Sequence, residues 1–201
     1  MPAHDEATLR FYAEFAPTYV ASGAGGVSRH LAAFLDAVPP GSKILELGCG
    51  GGRDAQAMIA TGHQVDPTDG VASIARKAEE LLRIPVRVMR FDELDACGQY
   101  DAVWANASLL HVPRPQLPPI LSRIRSALKP GGLHHATYKA GGCEGRDSHG
   151  RYFNYLSRDE AVDMYERAGR WEIVSVSEYT GGGYDRGAQG PWVAVMAKRP
   201  I

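Results

Sequence analysis

Disulfide staples are the first thing this chain lacks. Cysteine occurs three times, at Cys49, Cys97 and Cys143, an odd and scattered set. It frames neither a disulfide scaffold nor a zinc site, and it suits a reducing compartment. Charge of one sign is also missing: 22 lysines and arginines nearly balance 23 aspartates and glutamates. Without a net field to attract phosphate backbones, nucleic acid is not favoured as the main partner. No apolar run approaches the ~18 residues that a membrane span requires. The start, Met1-Pro-Ala-His-Asp-Glu, has no basic n-region and no apolar h-region, which argues against a secretory signal. No internal repeat or low-complexity tract stands out. What is present is 201 residues, 44% apolar and 22% charged. That suits one globular domain spanning 1–201, expected in the cytoplasm, with its oligomeric state left open.

Hydrophobic periodicity alternates between helix and strand. Asp5 to Tyr19 places Leu9, Tyr12, Ala13 and Ala16 at helical spacing, broken by Pro17. Ser28 to Val38 puts Leu31, Phe34, Leu35 and Val38 on one helical face, stopped by Pro39-Pro40-Gly41. Strands are expected at Lys43–Leu47, Gln64–Thr68, Val86–Phe91, Tyr100–Ala105 and Leu133–Tyr138. Helices separate them near Arg53–Thr61, over Val71–Leu82 (Ile74, Ala75, Ala78, Leu81 and Leu82 inward) and over Pro115–Leu128. Residues 140–150 read as a loop. Ser157-Arg-Asp-Glu160 is a capping box for a helix to about Ala168. Strands at Trp171–Tyr179 and Trp192–Lys198 follow, joined by a glycine-rich loop from Gly181 to Pro191. Alternation implies a parallel sheet covered on both faces, and a final strand pair without a helix implies an antiparallel end.

Between the first strand and its helix stands ILELGCGGGR, Ile44 to Arg53. Gly48, Gly50 and Gly52 let the backbone approach a ligand, and the next helix offers free N–H groups. A dinucleotide fingerprint needs G-x-G-x-x-G, but Arg53 occupies the third glycine position, where tight helix–strand packing is required. A phosphate loop needs Gly-Lys-Ser/Thr, which is absent. Glu46 in a buried strand is costly unless paired. It would repel a pyrophosphate and attract a ligand bearing ammonium and sulfonium groups. Asp69 lies about 20 residues beyond Gly48, at a strand end where a carboxylate can accept ribose hydroxyls. Asp92 follows the third strand, within reach of an adenine edge. Three acids at successive strand ends describe a nucleoside with a cationic tail.

These segments resemble the class I S-adenosylmethionine-dependent methyltransferases. ILELGCGGGR is similar to their first motif, HQVDPTDGVASIARKA to the second strand and helix, and RFDELD to the adenine region. YDAVWANASLLHV is similar to the fourth strand, and LSRIRSALKPGG to the turn before strand five. A narrower similarity is to small stand-alone bacterial enzymes, including the tellurite-resistance methyltransferases. The resemblance implies a doubly wound, Rossmann-like α/β fold with seven strands in the order 3-2-1-4-5-7-6, strand 7 antiparallel. It implies N-terminal helices (1–40) folding over the nucleoside. It also implies contacts to S-adenosylmethionine, or its product S-adenosylhomocysteine, at Tyr19, Glu46, Gly48, Cys49, Gly50, Gly52, Arg53, Asp69, Gly70, Asp92, Glu93 and Asn106. No metal is expected.

The acceptor side is carried by fewer signals. His111 lies just beyond strand four, where this fold faces the transferred methyl, and is a candidate base. Tyr138 ends strand five. Arg146, Arg151, Tyr152 and Tyr155 cluster in GRDSHGRYFNYLS, and residues 140–156 suit a lid over a small, flat or anionic substrate. The function implied is methyl transfer to a small-molecule acceptor. Two alternatives stay open: a nucleic-acid (tRNA) methyltransferase, which would want a basic stripe or added module, and a non-catalytic module that binds S-adenosylmethionine.

Overall fold

The computed structural model describes residues 3–22, 26–184 and 189–201. The chain starts with two short helices, α1 (Glu6–Glu14) and α2 (Ala16–Ser22). The break expected at Pro17 falls two residues earlier, where the chain leaves the first helix at Phe15. Pro17 then sits in the first turn of the second, where its missing N–H leaves no bond unmade. Helix α3 (Leu31–Asp36) follows, then β1 (Lys43–Leu47), α4 (Arg53–Ala60), β2 (Gln64–Asp69) and α5 (Ala72–Leu82). Next come β3 (Arg87–Val88), β4 (Tyr100–Ala105), α6 (Leu117–Ala127) and β5 (Leu128–Lys139). A small hairpin, β6 (Gly145–Arg146) with β7 (Tyr152–Phe153), precedes α7 (Arg158–Ala168), β8 (Glu172–Gly181) and β9 (Gly190–Lys198).

The main sheet has seven strands in the order β3-β2-β1-β4-β5-β9-β8. With the hairpin set aside, this is the expected 3-2-1-4-5-7-6. The last strand runs antiparallel to both neighbours, as the helix-free connection requires. Pairing across β3, β2, β1, β4 and β5 is parallel. The order turns at β1, flanked by β2 on one side and β4 on the other, so the switch point lies above the glycine turn.

Strand parity sorts the core. Leu45 and Leu47 of β1 face Leu117, Ile120 and Ile124 of α6, and α7 adds Ala161 and Tyr165 to the same cluster. Ile44 faces the opposite way, onto Phe34 of α3 and Met58 of α4. Glu46 shares Ile44's parity and therefore rises on the α3/α4 side. Ala75 and Ala78 of α5 pack with Cys49 and Val86. Among the described residues no helix is long and apolar enough to cross a membrane.

Three expectations need correction. The third strand shrinks from Val86–Phe91 to Arg87–Val88, because the chain turns into a 3-10 turn at Phe91–Glu93. Leu81 of α5 is 42% exposed rather than inward; the buried stripe is Ile74, Ala75 and Ala78. Residues 140–150 are not an unstructured loop, since they enter the β6–β7 hairpin. The middle of the glycine-rich segment, 185–188, lies outside the described residues.

The capping box holds as read. Glu160 N–H donates to Ser157 Oγ at 3.3 Å, and Ser157 N–H donates to Glu160 Oε2 at 2.8 Å. Ser157→Ala should therefore cost about 1 kcal/mol of stability. Urea denaturation should show a lower midpoint with an unchanged slope.

Candidate active site

The glycine turn is tied to the end of β2. Gly48 and Cys49 N–H both donate to the Thr68 carbonyl, at 2.9 and 2.8 Å. Gly50 N–H donates to Asp69 Oδ2 at 3.1 Å, and Val71 N–H donates to Asp69 Oδ1 at 2.9 Å. Gly48 has φ +74°, and a Cβ there would fall 2.6 Å from the Ser108 Cβ. No other residue fits without moving backbone.

Above Asp69 lies a cleft with about 700 Å³ of empty space. Asp69, Gly70, Val71 and Ile74 form its floor; Met89 and Phe91 stand opposite, and Leu9 and Tyr12 roof it. Largely apolar walls with the Asp69 carboxylate at a strand end fit a purine nucleoside: the base between side chains, the ribose hydroxyls on Asp69. Burial pushes the Asp69 carboxyl up to about 6, opposed only by its two backbone bonds.

A second cleft, about 1310 Å³, continues past Gly48 to Glu46, Gly50, Gly51, Arg53, Asp54 and Asn106. Glu46 is 3% exposed, and its Oε2 has no hydrogen-bond partner. Burial, then the nearby Asp54 and Asp69, raise its carboxyl well above the usual range. A buried acid with no counter-charge is costly, and an incoming ammonium is the group that would complete it. Arg53 borders the same cleft and forms no ion pair with a described residue, which suits a carboxylate partner. Asn106 sits in a network beneath the cleft. Its Nδ2 donates to Ser28 Oγ at 2.7 Å and its Oδ1 accepts from Thr137 Oγ1 at 3.0 Å. Asp54 takes Ser28 N–H at 2.8 Å and Trp104 Nε1–H at 3.0 Å.

A third chamber, about 670 Å³, opens on the far side of Tyr19. Tyr19 and Ala107 line all three spaces, so the three meet there. Ala107 holds φ +51°, a left-handed conformation costly for a non-glycine, with its N–H given to Thr137 Oγ1 at 2.8 Å. Tyr12 and His111 line both the nucleoside cleft and the third chamber. His111 Nδ1–H donates to the Tyr152 carbonyl at 2.6 Å, which leaves Nε2 to accept from the Tyr12 hydroxyl at 2.9 Å. Burial holds the His111 ring down at about 4, so it is neutral at neutral pH.

Several expected residues take other places. Asp92 and Glu93 do not line the cleft. Glu93 accepts Arg90 N–H at 2.7 Å and pairs with the Arg90 guanidinium, while Asp92 lies between Arg90 and His4. Met89, Arg90 and Phe91 occupy the wall instead. Gly52 serves the turn from behind, whereas Cys49 does line the second cleft beside Glu46 and Gly50. Cys49 packs its side chain on α5, and Gly52 begins α4 with φ +82°. Tyr138 is fully buried with its hydroxyl 3.5 Å from that of Tyr165. Strand alternation turns it away from the chamber and brings its neighbour Lys139 there. Arg146 is outside, bidentate to Asp5 at 2.9 and 2.7 Å, and so fastens the hairpin to the cap of α1. Arg151 reaches the chamber but is 2% exposed, not part of a surface lid. Its Nε and Nη2 donate to Asp147 at 2.9 and 2.6 Å, and Nη1 donates to the Tyr12 oxygen at 3.3 Å. Tyr152 gives its carbonyl to His111 and its hydroxyl to Glu144. Tyr155 lines a smaller side pocket with Lys139 and Trp192.

Asn154 is a further residue of the site with no signature in the sequence. It is fully buried, and its Nδ2 donates to the carbonyls of Leu109 and Val112 at 3.0 and 3.2 Å, holding the turn that carries His111. No local signal separates such an asparagine from a turn residue. Ser28, Asp54, Thr137 and Asp147 escaped for the same reason: each acts through contacts distant in sequence.

Sheet order and switch-point turn define a Rossmann-like fold of the class I methyltransferase type. Residues 44–132 match the family described as "Methyltransferase domain". A ubiquinone biosynthesis O-methyltransferase of Xanthomonas campestris is 36% identical over 100 residues, 46% of this chain and 41% of that protein. The chain thus matches less than half the length of this curated relative. Among solved structures, the Burkholderia thailandensis 1,6-didemethyltoxoflavin-N1-methyltransferase, with S-adenosylhomocysteine bound, superposes with a TM-score of 0.78 at 18% identity, covering 100% of this chain and 92% of its own. TehB from Haemophilus influenzae gives 0.73 at 16% identity, covering 94% of this chain and 67% of its own. At such identities the structural similarity speaks for the fold.

The two acids set a measurable pH dependence. Ribose hydroxyls and an ammonium both favour ionised carboxylates, so affinity for S-adenosylhomocysteine should fall as pH drops through about 6, where Asp69 takes up its proton. Calorimetry at neutral pH in buffers of differing ionisation enthalpy should show proton release on binding, and Glu46→Gln should abolish it. Asp69→Ala should weaken binding by about 1–3 kcal/mol.

Proposed function

We propose that the protein transfers the methyl group of S-adenosylmethionine to a small molecule held in the third chamber, leaving S-adenosylhomocysteine. One observation carries this reading: an acid-bearing cleft and a separate third chamber meet at Tyr19 and Ala107. When bound, the sulfonium supplies an activated methyl, so an acceptor lone pair forms the new bond as the carbon–sulfur pair leaves to sulfur. The chain's part is to hold and to exclude water. Asp69 and Glu46 fix the two ends of the nucleoside, and Arg53 meets its carboxylate. Tyr12 and Tyr19 separate the chambers except at the junction.

His111 acts in this scheme as a positioning residue for Tyr12. Its Nε2 lone pair is already given to the Tyr12 hydroxyl, and both burial and the Arg151 charge oppose its protonation. The Tyr12 hydroxyl is then the group presented at the junction. The near-neutral chain favours a small acceptor over a nucleic acid.

The test is formation of S-adenosylhomocysteine from S-adenosylmethionine with a small-molecule metabolite extract. Turnover with bulk tRNA alone would overturn the small-acceptor reading, and binding with no turnover under any condition would leave a binding module. His111→Ala should lower kcat by about 10- to 100-fold through misplacement of Tyr12. The ratio of wild-type to mutant turnover should stay constant between about pH 6 and pH 9, because the ring is neutral throughout. A ratio that shrinks at high pH would restore His111 as a base.

A further inference from the structure

The loop after β4 is pinned by Thr137 and Asn154. Ala107 N–H donates to Thr137 Oγ1 at 2.8 Å. Asn154 Nδ2 donates to the Leu109 and Val112 carbonyls, and Asn154 N–H donates to the Leu110 carbonyl at 2.9 Å. Ser108 lies among these anchors and opens the 3-10 turn Leu109–His111. A serine that opens a helical turn usually gives its side-chain oxygen to an N–H of that turn. Ser108 makes no such bond. It is 7% exposed, and its Oγ is buried with no hydrogen-bond partner among the described residues.

The hydroxyl belongs to the nucleoside cleft. Ser108 lines that cleft but neither the tail cleft nor the third chamber. A Cβ on Gly48 would come within 3.3 Å of Ser108 Oγ and 3.8 Å of Phe91 Cζ, so the serine, the glycine turn and the Phe91 wall converge there. Other polar side chains of the cleft are engaged within the chain. Thr8 Oγ1 donates to Asp5 at 2.7 Å, the Tyr12 hydroxyl to His111 Nε2 at 2.9 Å, and Arg90 to Glu93 at 2.8 Å. A buried hydroxyl without a partner destabilises the free protein, and an acceptor atom on a ligand would satisfy it.

We infer that the Ser108 hydroxyl donates a hydrogen bond to the nucleoside of the bound ligand, on the side that lies against Gly48 and Phe91. This rests on the cleft being a nucleoside site. The serine serves binding at the expense of the fold, because it gains its partner only when the cleft is filled. The same loop carries Ala107 and His111, so the bond also sets the nucleoside's position relative to the junction with the third chamber.

Titration calorimetry and thermal melting of the full chain and its Ser108→Ala variant test this. Two probes separate the ends of the site: S-adenosylhomocysteine, and 5′-methylthioadenosine, which keeps the nucleoside and lacks the amino-acid tail. Ser108→Ala should weaken both by the same factor, about three- to tenfold. The free variant should melt at or above the wild-type temperature, because no bond within the chain is lost. Unchanged affinity for both probes would overturn the inference. So would a loss confined to one of them, since both carry the same nucleoside. A loss for both with a lower melting temperature of the free variant would overturn it too, since the hydroxyl would then be holding the fold. If neither probe bound the wild-type protein, the nucleoside reading itself would fall, and this inference with it.

Discussion

Asp69 is the point on which the site is hung. Its two oxygens accept Gly50 N–H from the glycine turn and Val71 N–H from the cap of α5. One buried carboxylate thereby joins β1, β2 and two helix starts at the switch point. The turn can lie that close because Gly48 carries no side chain against Ser108. Everything the cleft presents, from the Glu46 carboxylate to the Phe91 wall, takes its position from this junction. The same acid lines the cleft, so the brace of the loop is also part of the cleft's floor.

Glu46 is buried without a counter-ion among the described residues, and its Oε2 has no hydrogen-bond partner there. That costs free energy in the folded chain, and the ammonium of a ligand would offset it. Tyr19 and Ala107, which line all three spaces, form the junction between the Asp69 and Glu46 clefts and the third chamber.

The hairpin β6–β7 behaves as architecture. Arg146 fastens it to Asp5, Asp147 and Arg151 brace it internally, and Asn154 ties its exit to the His111 turn. Arg151 also touches the rings of Phe11, Tyr12, Phe153 and Tyr184, between 4.9 and 5.8 Å from their centres. A cation surrounded in this way packs the N-terminal helix against the hairpin and closes the chamber wall.

The strand order and the nucleoside end of the site were legible because they follow from local rules. A buried apolar run, a glycine turn and a strand-end acid each need only neighbours in sequence, so Ile44–Leu47, Gly48 and Asp69 declared their positions. The acceptor end was not legible, because parity and long-range pairing decide it. Tyr138 and Lys139 look equivalent in a row of letters, yet one residue of pleat sends the first into the core and the second into the chamber. Arg146 and Arg151 look alike in GRDSHGR, yet Asp5 claims the first outside and Asp147 the second within. Asp92 and Glu93 sit at the expected strand end, but a 3-10 turn swings them off the wall. The sequence by itself determined the class of fold and the place of Glu46 and Asp69 beside the glycine turn, since a turn's chemistry is written in its own residues. Only the tertiary structure decided which cations and rings share a room, since that depends on contacts between segments up to about 140 residues apart, such as Asp5 with Arg146.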